Sequence, residues 1–516
     1  MKFLKMIAIA CLVWGAMTGV CHARVKTDAR FTLYEISFSP TQLFSKEQLR
    51  ELSRPYLNRK ISKSDLNELT KNLTRIYQQN GYLLSRAKID FISPSKHNAR
   101  IQFIEMKINI DNQKYESSAV QKIISSWTSD SVFSVPQSQR TLLLLNEIPG
   151  VSAKATVKPN KQKDAFDINI NTQQKSYKTR YRVDNYGSAE NNHSLRIMSE
   201  VESYNIFPFL ELIGARGAEY MGDDTVRYGE IFTESWLGSN GVRWKNRAGK
   251  IDSASPQSDL GFVATGQSDF FETSILAPLT RTPHHRSSAS LSWRHLTSKS
   301  SIFDLNFFED KVDVVSFSFN NMVSGDKKKS AINVTVNKGF DIVNGKSDPN
   351  ILSRPDGDLN FTKINIDHEY AEIIGNKGHQ FTLSSEAQYS FNPLVASEEF
   401  VAGGVRFGRA FPFSSVTGDD GVAISLEIAQ PYHNIVPQTV SAQLYGFVDG
   451  AIARQKKTNI QQENYDAIAS AGVGVRTRLY QDTNVQFEIS NPLYRNGAMA
   501  REHDTPRFSF TMTGEF

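Results

Sequence analysis

Few of the residue types that carry covalent chemistry stand in patterns that could use it. There is no G-x-S-x-G elbow and no H-E-x-x-H pair, and Gly339 to Ser347 misses the phosphate-loop pattern because five residues, not four, separate its glycines. The 10 histidines are dispersed, and His284 with His285 reads as a turn rather than a metal site. Both cysteines, Cys11 and Cys21, fall within the first 23 residues, which removes thiol nucleophiles and cysteine metal sites from the rest of the chain. No catalytic residue, metal or cofactor is expected, and the chain does not read as an enzyme. What recurs is charge on one face of alternating segments: Arg180, Arg182, Glu427, Asp449, Arg476 and Glu488. The chemistry open to these groups is ion pairing and hydration in a water-filled space. On residue type alone, Arg409 reads as a solvated loop arginine and Asp449 as an inward carboxylate with no particular partner.

The elements that position these charges are strands. From Thr439 onward, Val440, Ala442, Leu444, Gly446, Val448, Gly450 and Ile452 share one face, opposite Ser441, Gln443, Tyr445, Phe447 and Asp449. Ala469, Ala471, Val473 and Val475 likewise alternate with Ser470, Gly472, Gly474, Arg476 and Arg478. Val485, Phe487 and Ile489 alternate with Gln486 and Glu488, and the C-terminus sets Phe508, Phe510, Met512, Gly514 and Phe516 against Ser509, Thr511, Thr513 and Glu515. A soluble sandwich would alternate too. A membrane barrel is favoured by the repeated charges on the polar face, an exported N-terminus and the phenylalanine on the apolar face at the C-terminus. No segment beyond the N-terminus approaches the ~20 apolar residues of a membrane helix. At ~10 residues per strand and as many per connection, residues 176–516 divide into about sixteen antiparallel strands.

Ahead of the strands the pattern differs. Lys2 and Lys5 precede an apolar run from Met6 to Val20 and the small-residue site Cys21, His22, Ala23, as in a secretory signal peptide cleaved after Ala23. Residues 24–175 alternate strands and helices. Phe31, Leu33, Ile36 and Phe38 read as one strand, Ser45 as the cap of a helix carrying Leu49 and Leu52, and Ser62 or Ser64 as the cap of a helix ending at Gly81. Ala87 to Phe91 and Arg100 to Ile104 read as a hairpin. A second round follows, with strand Lys107 to Ile110, helices Ser118 to Trp127 and Arg140 to Asn146, and strands Ser152 to Lys158 and Ala165 to Asn171. The domains expected are therefore a signal peptide (1–23), two small α/β modules (24–106 and 107–175) and a barrel (176–516). The modules carry 24 lysines and arginines against 14 acids, the remainder 33 against 40. The basic residues are scattered rather than clustered, so nucleic acid is not an expected partner.

The chain resembles the outer-membrane transporters of two-partner secretion, the hemolysin secretion and activation family of the ShlB, FhaC and HecB type. Tyr77, Gly81, Tyr82, Ser85, Arg86 and Ala87 reproduce its Y-x-x-x-G-Y-x-x-S-R-A. Leu143 to Val151, including Pro149 and Gly150, matches its LLLND-[IL]-PGV, and Asp184 to Ser188 the opening of its barrel. Most specific is GGVRFGRAFPFSSVTGDDG, from Gly403 and Gly404 through Arg409 and Phe411 to Gly418, Asp419 and Gly421. It resembles a loop that folds back into the barrel lumen. Phe447, Val448 and Asp449 match the start of the strand motif whose acid pairs with that arginine. Two departures are Ala410 in place of a commoner glycine and the order Gly450, Ala451, which is usually reversed.

The resemblance implies POTRA-type modules in the periplasm, a barrel in the outer membrane of a Gram-negative bacterium, and a pore that secretes a partner exoprotein of hemolysin or adhesin kind. It also implies a loop-to-lumen lock made by Arg409 and Phe411 with Asp449 and Phe447, and a barrel C-terminal signal at Phe516. A guanidinium fork and a carboxylate can pair in bidentate fashion. If Arg409 and Asp449 touch directly, exchanging their charges should recover part of what is lost on removing Arg409; Glu427 and Glu488 face inward and compete as partners. Expected partners are the exoprotein cargo, outer-membrane lipid and the barrel-assembly machinery, with the chain acting as a monomer. Only Arg24 to Arg30 precede the first strand, so no plug helix is expected. An assembly factor of the same superfamily would be expected to carry three or more modules, and a passive porin would need neither modules nor the Arg409 loop.

Overall fold

The computed structural model describes residues 29–516 except 111–114, 116, 128–130, 161–164, 187–194, 222–224, 258–261, 304, 342–351, 437–439, 459–460, 480–481 and 498–504. The signal peptide with Cys11 and Cys21, residues 24–28 of the short stretch on which the plug-helix expectation rests, and Gly187 and Ser188 of the barrel-opening motif lie outside the described residues. The chain divides into two compact bodies, one made chiefly of residues up to Ile108, the other containing most of the second module together with the barrel.

In the first module a sheet runs in the order Glu35–Phe38, Asn98–Ile104, Arg86–Ser93, the first pair parallel and the second antiparallel. The stretch from Phe31 to Phe38 is two strands, not one. Phe31–Leu33 pairs with Arg59–Ile61, and the chain changes partner at Tyr34, whose N–H donates to the His97 carbonyl at 2.8 Å. Helix Lys46–Ser53 starts at Ser45 and helix Lys63–Gln79 at Ser62, each through a reciprocal capping box, with Gln48 and Asp65 as the returning side chains. The longer helix buries Leu66, Leu69, Leu73 and Tyr77 on one stripe; Leu69, Leu73 and Tyr77 pack with Phe44, Ala87, Ile101 and Phe103, and Leu66 with Leu33, Ile61 and Ala99.

The second module places strands Lys107–Ile110, Ala165–Gln174 and Val151–Pro159 in that order beside helices Ser118–Ser126 and Val135–Leu145. The latter begins five residues before the expected start at Arg140. Pro136 sits in its first turn, where the missing N–H has no helical partner to lose.

Sixteen antiparallel strands among the described residues close into a barrel. Each pairs with its neighbour in sequence, and Tyr177–Asp184 completes the ring by pairing with both Leu195–Phe207 and Arg507–Glu515. Leu444, Val448, Ile452, Val473, Phe487, Ile489 and Phe508 are exposed on the outside, while Tyr445, Phe447, Asp449, Ser470, Glu488 and Ser509 are buried inside. That is the alternation of a wall with apolar side chains toward lipid and polar ones toward the lumen.

Short turns at one barrel end meet the second module. Glu147 lies 2.6 Å from both Arg243 Nη2 and Arg281 Nε, Ser118 Oγ donates to the Pro208 carbonyl, and the Lys175 N–H donates to the Gly150 carbonyl at 2.9 Å. Gly150 has φ of +75°, and a Cβ there would overlap the Tyr204 ring. At the opposite end two long connections fold inward. Residues 352–361 bring Leu352, Leu359 and Phe361 against Val312 and Val314 of the barrel wall, together with Leu394 and Val395 of the connection 391–419.

Candidate functional site

The connection 391–419 enters the lumen through a 3₁₀ turn, Ala396–Glu398, and a two-stranded ribbon, Phe400–Ala402 with Val416–Gly418. Between the ribbon strands the backbone turns back on itself at Gly403, Gly404 and Gly408, with φ of +114°, +92° and +67°. Left-handed conformations at three positions account for the glycines. At Gly408 the reason is also steric, because a Cβ would overlap Ile468 Cδ1. Phe400, Phe407, Ala410, Phe411 and Val416 pack with Ala423, Ala451, Ala453 and Ile468 of the wall. Both departures from the family pattern fall here: the methyl groups of Ala410 and Ala451 are part of this apolar seat.

The seat carries Arg409 to a group of acids. Its Nε lies 3.2 Å from Asp449 Oδ2, and its Nη1 lies 3.3 Å from Glu427 Oε2 and 3.1 Å from Glu488 Oε2. Nη2 donates to Ser425 Oγ at 3.1 Å, and the guanidinium stands 3.9 Å over the Phe447 ring. The fork is shared among three carboxylates and is not bidentate on Asp449; the Nε to Oδ2 contact lacks hydrogen-bond alignment. Asp449 spends its other oxygen on the loop backbone: Oδ1 accepts the N–H of Gly408 at 2.9 Å and of Arg409 at 3.3 Å, and the Ser470 hydroxyl. Arg476 neutralises Glu427 from beneath at 2.8 Å, and the Tyr445 hydroxyl donates to Glu488 at 2.8 Å. With Arg409 only 9% exposed, this arrangement compensates a charge that would be costly to hold alone.

Phe411 is fully buried, and Arg507 Nη1 donates to its carbonyl at 2.9 Å. Asp419 is also fully buried at the root of the loop, accepting Arg354 Nη1 at 2.7 Å, the Leu394 N–H at 2.6 Å and the Lys456 N–H at 2.7 Å. Gly418 and Gly421 leave room for the Arg454 backbone and the Phe400 ring.

The sequence profile of the haemolysin secretion/activation proteins ShlB/FhaC/HecB matches residues 165–477, more than half of the chain, and that of the ShlB-type POTRA domain matches residues 31–94. The chain belongs to this family. As a member of it, the barrel lies in the outer membrane and the POTRA modules in the periplasm. One relative is the heme/hemopexin transporter protein HuxB of Haemophilus influenzae, 20% identical over 93% of this chain and 87% of that protein. In fold the chain is similar to CdiB from Escherichia coli (TM-score 0.79, 15% identity, 97% of this chain and 93% of that one). CdiB from Acinetobacter baumannii follows at 0.72 and 14%, covering 100% and 97%.

The remaining family motifs serve the modules and the barrel seam rather than the lumen. Tyr77 donates to Glu105 Oε1 at 2.6 Å and shares it with Thr41; burial and that carboxylate push its phenol far above the ordinary range. Gly81, at φ of +84°, turns the chain after the helix, and Tyr82 N–H donates to the Tyr77 carbonyl. Arg86 is exposed, at the start of the sheet-edge strand. Pro149 and Gly150 belong to the turn that joins the second module to the barrel. Phe516 exchanges backbone hydrogen bonds with Thr179 and stacks on Tyr181 beside the closing seam.

Sequence reasoning missed Arg354, Ser470 as a partner of Asp449, and the cluster Glu398, Lys363 and Arg294. Ser470, Lys363 and Arg294 left a signal, their places on the polar faces of alternating strands. Arg354 and Glu398 sit in aperiodic connections.

Proposed function

We propose that the chain is a gated outer-membrane pore that secretes a partner exoprotein, with cargo captured by the POTRA modules and the Arg409 loop closing the pore at rest. Family membership supports the transport class. The observation that carries the gate is a whole connection folded into the lumen and tied there by an arginine facing three wall carboxylates. A passive porin gains nothing from such a tether. The fold supplies no energy source, so transport is driven by folding or capture of the cargo outside the cell.

The test is secretion of a co-encoded exoprotein by Arg409→Ala alongside its bilayer conductance. The variant should insert and fold as a heat-modifiable barrel, because closure rests on backbone pairing between strands, yet secrete several-fold less cargo and show open-channel steps that the parent lacks. Normal secretion with unchanged conductance removes the gate from the mechanism.

A further inference from the structure

We infer that Glu398 is a second lock on the same loop, opposite in charge to Arg409 and held by a different set of wall strands. Its carboxylate is 1% exposed. One oxygen contacts Arg294 Nη2 and the other lies 2.9 Å from Lys363 Nζ. Its backbone carbonyl accepts Lys363 Nζ at 2.6 Å and Gln388 Nε2 at 3.1 Å. Arg294, Lys363 and Gln388 belong to the strands His285–Ile302, Thr362–Ile374 and His379–Ser390. Counted from Tyr177–Asp184, these are the seventh, tenth and eleventh of the ring, whereas Arg409 reaches the twelfth, thirteenth and fifteenth. Arg294 and Glu488 are thus eight strands apart in a ring of sixteen, and the connection 391–419 is strung between them.

The two anchors are separate in the chain as well as in space. Arg409 fixes the tip beyond the ribbon; Glu398 fixes the descending limb before it. Arg354, from the other inward connection, ties the limb to the root by reaching Glu399 at 3.3 Å and Asp419 at 2.7 Å. Breaking the tip contacts leaves residues 391–399 pinned across the lumen by a carboxylate between two cations. Withdrawing that carboxylate leaves Lys363, itself largely buried, without a counter-charge. Full opening therefore requires both locks to release. This deepens the gated-pore reading and rests on it.

The experiment is planar-bilayer conductance of the full-length protein, comparing the parent, Arg409→Ala, Glu398→Gln and the double variant, each first shown folded by heat-modifiable migration. Each single variant should show brief partial openings. The double variant should exceed the product of the single effects by roughly tenfold in open probability, the size expected of coupled sites. Adding Lys363→Met to Glu398→Gln should open the pore little more than Glu398→Gln alone, because both break the same contact, whereas a general loss of stability would add. If the double variant matches Arg409→Ala alone, or Lys363→Met adds its full effect to that of Glu398→Gln, the second lock is wrong while the Arg409 gate stands. If Glu398→Gln opens the pore and Arg409→Ala does not, the Arg409 reading fails and Glu398 becomes the lock. Should Glu398→Gln not fold, Lys363→Met and Arg294→Gln approach the same contacts from the wall and are read by the same criteria.

Discussion

Asp449 accepts two backbone N–H groups of the loop on one oxygen and faces the Arg409 guanidinium with the other. Its role is therefore as much to hold the backbone turn as to neutralise charge, and this changes what substitutions should do. The charge exchange Arg409→Asp with Asp449→Arg, expected from the sequence to rescue, should fail. An arginine at 449 cannot accept the Gly408 and Arg409 N–H groups, and an aspartate at 409 would face Glu427 and Glu488. Asp449→Asn, which keeps an accepting oxygen, should open the pore less often than Asp449→Ala in bilayer recordings; equal opening would show the backbone contacts to be idle. Gly408→Ala should mimic Arg409→Ala without touching a charge, since a left-handed alanine costs about 1–2 kcal/mol and its methyl overlaps Ile468. A closed Gly408→Ala pore would mean that the turn yields without moving the tip. Arg409 was legible because glycines and aromatics frame it in a pattern of fixed spacing. Glu398 was not, because its burial depends on Arg294 and Lys363, residues far away in the chain whose approach no local period encodes.

At the scale of elements, what local periodicity can encode was readable and what depends on a distant partner was not. The capping boxes at Ser45 and Ser62 are local, and the helices start where those serines place them. The break at Tyr34 depends on where His97 offers a carbonyl, and nothing in Phe31 to Phe38 announces it. Asp65 in the second box accepts the Ser62 N–H at 2.7 Å, which holds its carboxyl below the ordinary aspartate range. A depressed carboxyl contributes stability above its unfolded pKa, about 3.9, and loses that contribution as pH falls through the lower folded value. The destabilisation of the first module by Asp65→Asn, followed by hydrogen exchange in helix Lys63–Gln79, should therefore be present at neutral pH and fade in acid; a gap independent of pH would assign the box no charge. The motif Leu143 to Val151 gains a physical meaning here, since its Glu147 is the anion shared by Arg243 and Arg281. Glu147→Ala should cost about 3–5 kcal/mol at this junction by stranding the buried Arg281 and the largely buried Arg243 guanidiniums, and exchange in helix Val135–Leu145 should quicken while the barrel ladders stay protected. Unaltered exchange there would show that the helix does not depend on the junction.

For the whole molecule, the sixteen strands could be estimated from length and alternation, but the second inward connection, residues 352–361, could not, because a loop that fills a lumen looks in sequence like one that projects into solvent. The charge asymmetry was visible from the start and bears on how cargo arrives. The modules carry about ten more basic than acidic residues, and in the first of them the strands Glu35–Phe38 and Arg86–Ser93 lie at the edges of the sheet. An edge strand offers unpaired backbone groups to an extended segment, and Arg86 and Lys88, both exposed, flank that edge with positive charge. Cargo adding a strand there would take its affinity from backbone hydrogen bonds, which added salt hardly weakens, and its approach from long-range attraction, which salt screens over a Debye length of ~10 Å at 0.1 M. Raising salt from about 0.05 to 0.5 M should therefore slow association of the exoprotein's N-terminal part with the full-length protein in nanodiscs by roughly tenfold while changing dissociation far less. Arg86→Glu with Lys88→Glu should slow association further and flatten its salt dependence. Dissociation that quickens with salt as much as association slows would place the binding energy in ion pairs, and a rate indifferent to both salt and the two substitutions would move the docking site away from this edge.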